Sequence, residues 1–171
     1  MIIVRRASFI NIPEITNLLN HALERKHGYN DPSWGTEEFT ANEVREMLGS
    51  ARVYIAATNG KVVGVVSITN KDQLWTDNVG PDPDPAWYIH RLSSSTAAKG
   101  QNVGGLLIQQ LEDDARRQGT NVLRLDCSYE NKGLYDYYVQ KGFEEVSRKE
   151  LHSTKPDVPV YPVAFMQKNL A

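Results

Sequence analysis

Residues 89–111 read IHRLSSSTAAKGQNVGGLLIQQL, and this stretch is the most informative about the fold. Residues 87–94 have the composition of a strand, residues 99–105 are small and polar, and apolar residues then recur at helical spacing up to Gly119. A strand that leads through a glycine-containing loop into a helix presents unpaired backbone N–H groups and the positive end of a helix dipole. The stretch therefore predicts a phosphate-binding loop, with a plain tight turn as the alternative.

The segments on either side predict a mixed, largely antiparallel sheet. Runs rich in β-branched residues indicate strands at 2–6, 52–58, 61–70, 87–94, 121–127, 143–149 and 161–168. Apolar stripes with capping signals, such as Asn11 followed by Glu14, indicate helices at 12–26, 40–49, 103–119 and 132–141. Residues 72–85 and 156–159 should be irregular, and Asn59-Gly60 should close a hairpin. The expected order is βααβββαβαββ, an α/β (α+β) fold of about seven strands and about four helices in a single domain over residues 1–171.

Composition and charge exclude several classes of protein. The single cysteine, Cys127, excludes an internal disulfide framework and a zinc site of several thiolates, and we expect no metal. The formal net charge of -2, with both signs scattered along the chain, gives no electrostatic footprint for nucleic acid or for an anionic membrane. The apolar run Met1–Val4 precedes two arginines, the reverse of a signal peptide, so a cytoplasmic location is expected.

Residues 88–143 resemble the GNAT superfamily of N-acetyltransferases. Two blocks carry the resemblance: the stretch quoted above and residues 123–143, LRLDCSYENKGLYDYYVQKGF. The family has a strand, a loop of the form Arg/Gln-x-x-Gly-x-Gly/Ala, a helix, a strand, and a helix carrying Asn and Tyr before Gly-Phe. The order of elements fits that fold over the whole chain. The resemblance implies acetyl-CoA as cosubstrate and a primary amine of a small molecule or protein as acceptor, and it leaves a homodimer open.

The resemblance assigns one group of residues to acetyl-CoA. Lys99 stands at the Arg/Gln position of the loop, where it can bind phosphate as a point charge but not with the two parallel hydrogen bonds of an arginine. Asn102 stands at the position of the first glycine and so brings a Cβ that glycine lacks. In the family, backbone groups of the strand before the loop pair with the pantetheine arm of CoA. The family asparagine that Asn131 matches hydrogen-bonds the same arm. The other role open to Asn131 is to cap the following helix. The expected cosubstrate contacts are Leu92, Ser94, Lys99, Gly100, Gln101, Asn102, Val103, Gly104, Gly105 and Asn131.

The resemblance also supplies a catalytic acid, and the chemistry requires a base. Tyr138 lies four residues before Gly142-Phe143, where many members have the tyrosine that protonates the departing CoA thiolate, and this spacing favours it over Tyr135 and Tyr137. A protonated amine must lose a proton before it attacks a thioester. His90 stands where relatives often carry glutamate, and strand alternation predicts that it shares a face with Leu92. A structural hydrogen-bonding role for His90 is the alternative.

Other polar and aromatic residues near these blocks have less specific roles. Asp126 and Glu130 could steer a cationic amine or be solvated charges at the end of a strand. Cys127 is not expected to act as a nucleophile, because the family transfers acyl groups directly. Trp34 and Trp75 could each line an acceptor pocket or pin its own loop by packing.

Two rival functions share the loop and helix. A non-catalytic member of the same fold would bind CoA without transferring an acyl group, and Lys99 and Asn102 keep this alternative open. A dinucleotide-binding oxidoreductase would also place glycines between a strand and a helix, with Asp126 as a ribose contact. The loop, however, lacks Gly-x-Gly-x-x-Gly, and the later strands lack the crossover helices of a doubly wound sheet.

Overall fold

The computed structural model of the chain describes residues 1–81, 84–152 and 160–171. Its strands are β1 (Ile3–Arg6), β2 (Arg52–Thr58), β3 (Lys61–Thr69), β4 (Trp87–Ser94), β5 (Val122–Ser128), β6 (Glu144–Leu151) and β7 (Tyr161–Asn169). Its helices are α1 (Ile12–Gly28), α2 (Ala41–Ser50), α3 (Gln73–Asn78), α4 (Val103–Arg117) and α5 (Lys132–Gln140). The strands form one sheet in the order β1-β2-β3-β4-β5-β7-β6, antiparallel throughout except between β4 and β5. The predicted mixed, largely antiparallel fold is confirmed.

Helix α3 was not predicted, because its segment was expected to be irregular. Its first turn is capped by Asp72, whose Oδ1 accepts a hydrogen bond from the Leu74 N–H at 2.9 Å. Trp75, with 2% of its surface exposed, packs edge-on against Tyr88 and Phe165 at centroid distances of 6.0 and 5.5 Å. Burial of the indole and the cap stabilise one short helix where the Asp- and Pro-rich composition favours a loop. The order of elements among the described residues is therefore βααββαβαβαββ. The irregular segment expected at 156–159 lies outside the described residues.

The capping and turn motifs predicted from the sequence are present at α2 and in the hairpin between β2 and β3, but not at α1. Thr40 and Glu43 form a reciprocal capping box at α2, and Asn59 and Gly60 adopt the positive φ angles of 49° and 74° that a tight hairpin turn needs. The box expected from Asn11 and Glu14 is wrong. Asn11 Oδ1 instead accepts from the Ser8 N–H, because a short 3-10 turn precedes α1, and Glu14 accepts from the Val62 N–H of β3.

Helices cover both faces of the sheet. Helices α4 and α5 cover one face, where Leu107, Leu111 and Phe143 are almost fully buried against β2 to β5 and β7. Helices α1 and α2 cover the other face, with Ile15 and Val44 packed on β2 and β3. Burial of these side chains is the main stabilising contribution to the fold. None of the helices among the described residues has the length and apolarity needed to cross a lipid bilayer.

The two parallel strands pair only briefly in the middle of the sheet. Trp87 pairs with Leu123 and Tyr88 with Arg124, and the ladder then ends. Beyond this point residues 89–94 have no strand partner on the β5 side within the described part of the chain. An edge of unpaired backbone groups therefore opens in the centre of the molecule, where an extended ligand could add as a strand does.

Candidate functional site

An open cavity of about 1110 Å³ lies where β4 and β5 separate. Its walls come from β4, β5, α1, α2, α5 and the segment between α1 and α2. Leu92, Ser94 and Asn131 line it, as do His90 and Tyr138. The carbonyl oxygen of Ser94 accepts a hydrogen bond from Arg25 Nη2 at 2.8 Å, which ties the end of β4 to α1. The structure thus brings five of the residues predicted for the site to one cavity.

A β-bulge in β4 changes which way these side chains point. His90 pairs with Ser67 and Ser93 with Val65, so Arg91 and Leu92 together oppose a single residue of β3, and Arg91 has a φ of 58°. Leu92 packs against the core under α4, whereas His90 bonds Thr69 on the α1–α2 side. The prediction that His90 and Leu92 share one face is therefore wrong, because the extra residue breaks the alternation.

The small-residue loop opens helix α4 at the rim of the cavity. Asn102 occupies the N-cap position of the helix with φ 55° and ψ 37°, a left-handed conformation that asparagine tolerates better than most residues. Its carboxamide occupies the space that a Cβ on Gly105 would need, so a larger residue at position 105 would displace the Asn102 side chain. The first N–H groups of the helix, on Val103, Gly104 and Gly105, have no acceptor within the helix. Lys99, Gly100, Gln101 and Asn102 are exposed beside them, and none of residues 99–105 lines the cavity itself.

Tyr137, which the sequence pattern favoured less than Tyr138, connects the cavity to this loop. Its hydroxyl lies directly over Gly104. If residue 104 had a Cβ, that atom would overlap the Tyr137 hydroxyl. Tyr137 also lines the cavity, and burial raises the pKa of its hydroxyl. The side chain therefore spans the distance between the cavity and the start of α4.

We expect Gly104→Ala to destabilise the protein by about 1–3 kcal/mol, the usual cost of overpacking. The added methyl group would overlap the Tyr137 hydroxyl, so Tyr137→Phe should recover part of the loss in the double variant. Urea unfolding of both single variants and the double variant measures this coupling. Gly133→Ala on α5 is the control, because nothing lies near its Cβ position. Strictly additive effects would contradict the contact.

Asn131 joins α5 to the segment between α1 and α2. Its Oδ1 caps α5 by accepting from the Leu134 N–H at 3.4 Å, and its Nδ2 donates to Asp31 Oδ2 at 2.9 Å. Asp31 also pairs with Lys26 at 3.0 Å. Burial acts to raise the pKa of Asp31, but the charge of Lys26 and the hydrogen bonds outweigh it and leave this pKa below its ordinary value. The capping role considered for Asn131 is therefore present in the structure.

Tyr138 is buried at the inner end of the cavity. Its ring contacts those of Phe143 and Tyr137 edge-on, at 5.8 and 5.6 Å. Burial and the neighbouring Cys127 raise the pKa of its hydroxyl well above the ordinary value, so the group stays protonated at neutral pH. In the described part of the chain no side chain or backbone group hydrogen-bonds this hydroxyl. It is a proton donor without a protein acceptor.

His90 is held in one tautomer by a short chain of hydrogen bonds. Thr69 donates its hydroxyl proton to the Lys71 carbonyl at 2.9 Å, so His90 Nε2, also 2.9 Å from Thr69 Oγ1, carries a proton and donates it. The carboxylate of Asp72 lies 3.8 Å from Nε2. Burial lowers the pKa of His90, and Asp72 only partly offsets this effect. The ring is therefore neutral at pH 7, with Nδ1 able to accept a proton.

Asp126 lines the same cavity as His90, which local sequence patterns did not reveal. Tyr88 of β4 pairs with Arg124 of β5, so two residues further along each strand His90 and Asp126 reach the same side of the opening split. Burial raises the pKa of Asp126 to about 6, and the charge of Asp72 adds to this effect, while Arg91 and Lys26 oppose it. Asp126 is therefore not a solvated charge at the end of a strand, which was the alternative considered from the sequence.

Ionised Asp126 should cost the folded state about 3 kcal/mol, because its pKa of about 6 lies above the ordinary value of 3.8. The cost is absent below the ordinary pKa, where Asp126 is protonated in both the folded and the unfolded protein. It is complete above the raised pKa of the folded protein, where Asp126 is ionised in both. Asp126→Asn should therefore increase the free energy of unfolding more at about pH 8 than at about pH 5. Denaturant unfolding at both values tests this, with exposed Asp113→Asn on α4 as the control. A gain confined to the lower pH would contradict the direction of the shift.

The remaining candidate residues either line the cavity or pack in the core. Trp34 lines the cavity and meets Phe39 edge-on at 5.7 Å, so it belongs to the wall on the α1–α2 side. Trp75 is buried in the core under α3 and does not line the cavity, so its role is packing. Cys127 is buried with Sγ 3.8 Å from Met166 Sδ, and burial raises the pKa of its thiol to about 12. A thiol so rarely ionised is a poor nucleophile. Glu130 lines the cavity near Asn131.

Solved structures of known proteins share this architecture. A ribosomal-protein-alanine N-acetyltransferase from Brucella melitensis superimposes with a TM-score of 0.76 at 20% identity, covering 98% of this chain and 99% of that one. A Salmonella typhimurium protein solved with its cofactor acetyl-CoA superimposes with a TM-score of 0.73 at 21% identity, covering 100% of this chain and 95% of that one. These likenesses establish the fold.

Sequence comparison extends the likeness to the family. An uncharacterized N-acetyltransferase of Methanocaldococcus jannaschii is 28% identical over 120 residues; the match covers 70% of this chain but only 50% of that protein, so the chain spans about half of that relative. An aminoalkylphosphonate N-acetyltransferase of Salmonella typhimurium is 25% identical over 93 residues, covering 53% of this chain and 55% of that protein. The model of the Acetyltransferase (GNAT) family matches residues 13–143, well over half of the chain. With its divided central strands and the loop that opens α4, the chain belongs to the GNAT family of acetyltransferases.

Proposed function

We propose that this protein transfers the acetyl group of acetyl-CoA to a primary amine. The observation that carries the proposal is the split between β4 and β5 together with the loop that opens α4, which Tyr137 connects. The family match and the acetyl-CoA bound to the Salmonella structure support it. The names of similar proteins indicate different acceptors, an aminoalkylphosphonate in one case and an alanine of a ribosomal protein in another.

The residues of the split and of the loop fit acetyl-CoA. The unpaired edge of β4 at Leu92 and Ser94 matches an extended arm that carries amide groups, although Arg25 already occupies the Ser94 carbonyl. The N–H groups of Val103, Gly104 and Gly105, which have no acceptor within the helix, match a pyrophosphate. The exposed residues Lys99, Gly100, Gln101 and Asn102 complete this end of the site, and Asn131 borders the arm from α5.

Acetyl-CoA supplies an acetyl group activated as a thioester. We assign His90 to take a proton from the acceptor ammonium through Nδ1, directly or through water, with Asp126 holding the cationic group beside it. The neutral amine then attacks the thioester carbonyl, and the C–S bond breaks as the C–N bond forms. Tyr138 gives its hydroxyl proton to the sulfur, and the second proton lost by the nitrogen restores Tyr138 through solvent. The products are the N-acetyl amide, CoA thiol and one proton.

A thiol-release assay with acetyl-CoA against a panel of primary amines tests this function. We expect CoA to be released only when both acetyl-CoA and an amine are present. Acetyl-CoA should also raise the melting temperature, whereas NADH should not. A shift with acetyl-CoA but no transfer to any amine would favour the non-catalytic CoA-binding alternative. A shift with NADH alone would favour the oxidoreductase.

A further inference from the structure

Arg91 projects from the β4 bulge into the cavity on the α1–α2 side. Its guanidinium carbon lies 5.0 Å from the ring centroids of both Trp34 and Phe39. Cation–π contact with two rings positions the group and shields part of it from water, while its N–H groups can still donate hydrogen bonds. The side chain is thus held in place by apolar contacts and not by a hydrogen-bond acceptor.

The guanidinium lacks a partner for those N–H groups. Across residues 1–81, 84–152 and 160–171, no oxygen lies within hydrogen-bond or ion-pair distance of it. The carboxylates of Asp126 and Glu43 act on Arg91 electrostatically, but neither forms an ion pair with it. A half-buried cation without an acceptor is costly unless a ligand supplies one. Its planar fork suits the oxygens of a carboxylate or a phosphonate.

The backbone at Arg91 has a strained conformation that produces this orientation. A φ of 58° is unfavourable for a side chain with a Cβ and costs about 1–2 kcal/mol. The bulge turns the side chains of both His90 and Arg91 to the α1–α2 side, which regular alternation would forbid. Strain that re-aims a side chain into a cavity is typical of a binding position.

We propose that the acceptor is a small zwitterion that carries an oxyanion, a carboxylate or phosphonate, a few bonds from its amine, and that Arg91 binds this oxyanion. The inference rests on the proposed acetyl transfer. Arg91 follows His90 directly, with their Cα atoms about 3.8 Å apart, and Asp126 lines the same cavity and acts on Arg91 electrostatically. Opposite charges on one small molecule would therefore meet Arg91 and Asp126 together. The site proposed for the phosphate groups of CoA, at the start of α4, lies outside this cavity.

Matched pairs of acceptors test the proposal on the unmodified protein. Glycine and β-alanine are compared with their primary amides, and aminomethylphosphonate and 2-aminoethylphosphonate with methylamine and ethylamine. We expect kcat/KM to be about tenfold or more higher for the anionic member of at least one pair, the gain expected from charge-assisted hydrogen bonds. The amides have the less basic amines, so reactivity alone would favour them over the amino acids. Comparison of the carboxylate and phosphonate arms identifies the oxyanion.

Variants then locate the effect. Arg91→Met should abolish the preference and Arg91→Lys should retain part of it, while the affinity for acetyl-CoA stays unchanged. Arg45→Met is the matched control, because Arg45 on α2 also lies over a phenyl ring, that of Phe9, but outside the cavity. Equal kcat/KM within every pair, or a preference that survives in Arg91→Met, would overturn the role of Arg91 and leave acetyl transfer standing.

A binding experiment separates failure of this inference from failure of the proposed function. Each acceptor is titrated calorimetrically into protein saturated with CoA, so that the loop at α4 is already filled. Tighter binding of anionic members to the wild type, lost in Arg91→Met, supports the proposal even where no acetyl transfer occurs. Equal binding within the pairs, or no binding of any anionic member, would overturn it.

Discussion

Tyr138→Phe should lower kcat by about ten- to a thousand-fold, the loss expected for one positioned proton donor. The ring and its contacts with Phe143 and Tyr137 remain, so stability and affinity for acetyl-CoA should barely change. The raised pKa of the hydroxyl keeps it protonated over the neutral range, so loss of activity should not depend on pH there. Steady-state kinetics and thermal melts with and without acetyl-CoA measure these quantities separately.

Two other tyrosines on α5 make the experiment specific. Tyr135→Phe removes a hydroxyl outside the cavity and should leave kcat unchanged. Tyr137→Phe removes the hydroxyl over Gly104 and should affect the KM for acetyl-CoA more than kcat. If Tyr137→Phe lost as much kcat as Tyr138→Phe, or if Tyr138→Phe were fully active, Tyr138 would be a packing residue.

His90→Gln should lower kcat/KM by on the order of a hundred-fold and remove the acidic limb of its pH profile. Activity should rise with pH through this limb because His90 must lose its proton to act as a base. Burial lowers the pKa of His90 below its ordinary value of 6.5, so the limb lies below that value. Profiles of kcat/KM between about pH 5 and pH 8 measure the limb for each variant.

Asp126→Asn is the necessary comparison, because the pKa of Asp126 is raised to about 6 and would produce a limb in the same range. If His90 is the base, Asp126→Asn should weaken acceptor binding and keep the limb. A limb that persists in His90→Gln and disappears in Asp126→Asn would transfer the role of base to Asp126. The pH profile of the wild type alone cannot distinguish the two groups.

Most of the fold could be predicted from local patterns. The range of β4 agrees with the prediction, and β2 and β3 differ from it by at most one residue, because alternation and Asn59-Gly60 act over short stretches. Helix α3 was missed, since its stability depends on burial of Trp75 against Tyr88 and Phe165, which are distant in sequence. Propensity rules take account of the prolines in that segment, but they do not include packing between residues that are distant in sequence.

The site was predictable where it follows the chain and not where it depends on pairing between strands. The order of strand, loop and helix located α4 and the residues at its start. The bulge at Arg91 was not predictable, because one inserted residue leaves the composition of β4 unchanged. Asp126 was undervalued for a similar reason: its place in the same cavity as His90 depends on the register of two parallel strands, whose pairing no local pattern encodes.

The hydrogen bond from Asn131 to Asp31 has a consequence for how acceptor preference can change during evolution. Asp31 anchors Lys26, and Lys26 lies 4.8 Å from the ring centroid of Trp34, so one network runs from the capped end of α5 to the wall that faces the acceptor. Substitutions around Asp31 that reshape this wall would also disturb the helix that carries Tyr138. Selection for new acceptors should therefore act more freely on Met47, which lines the same cavity outside this network.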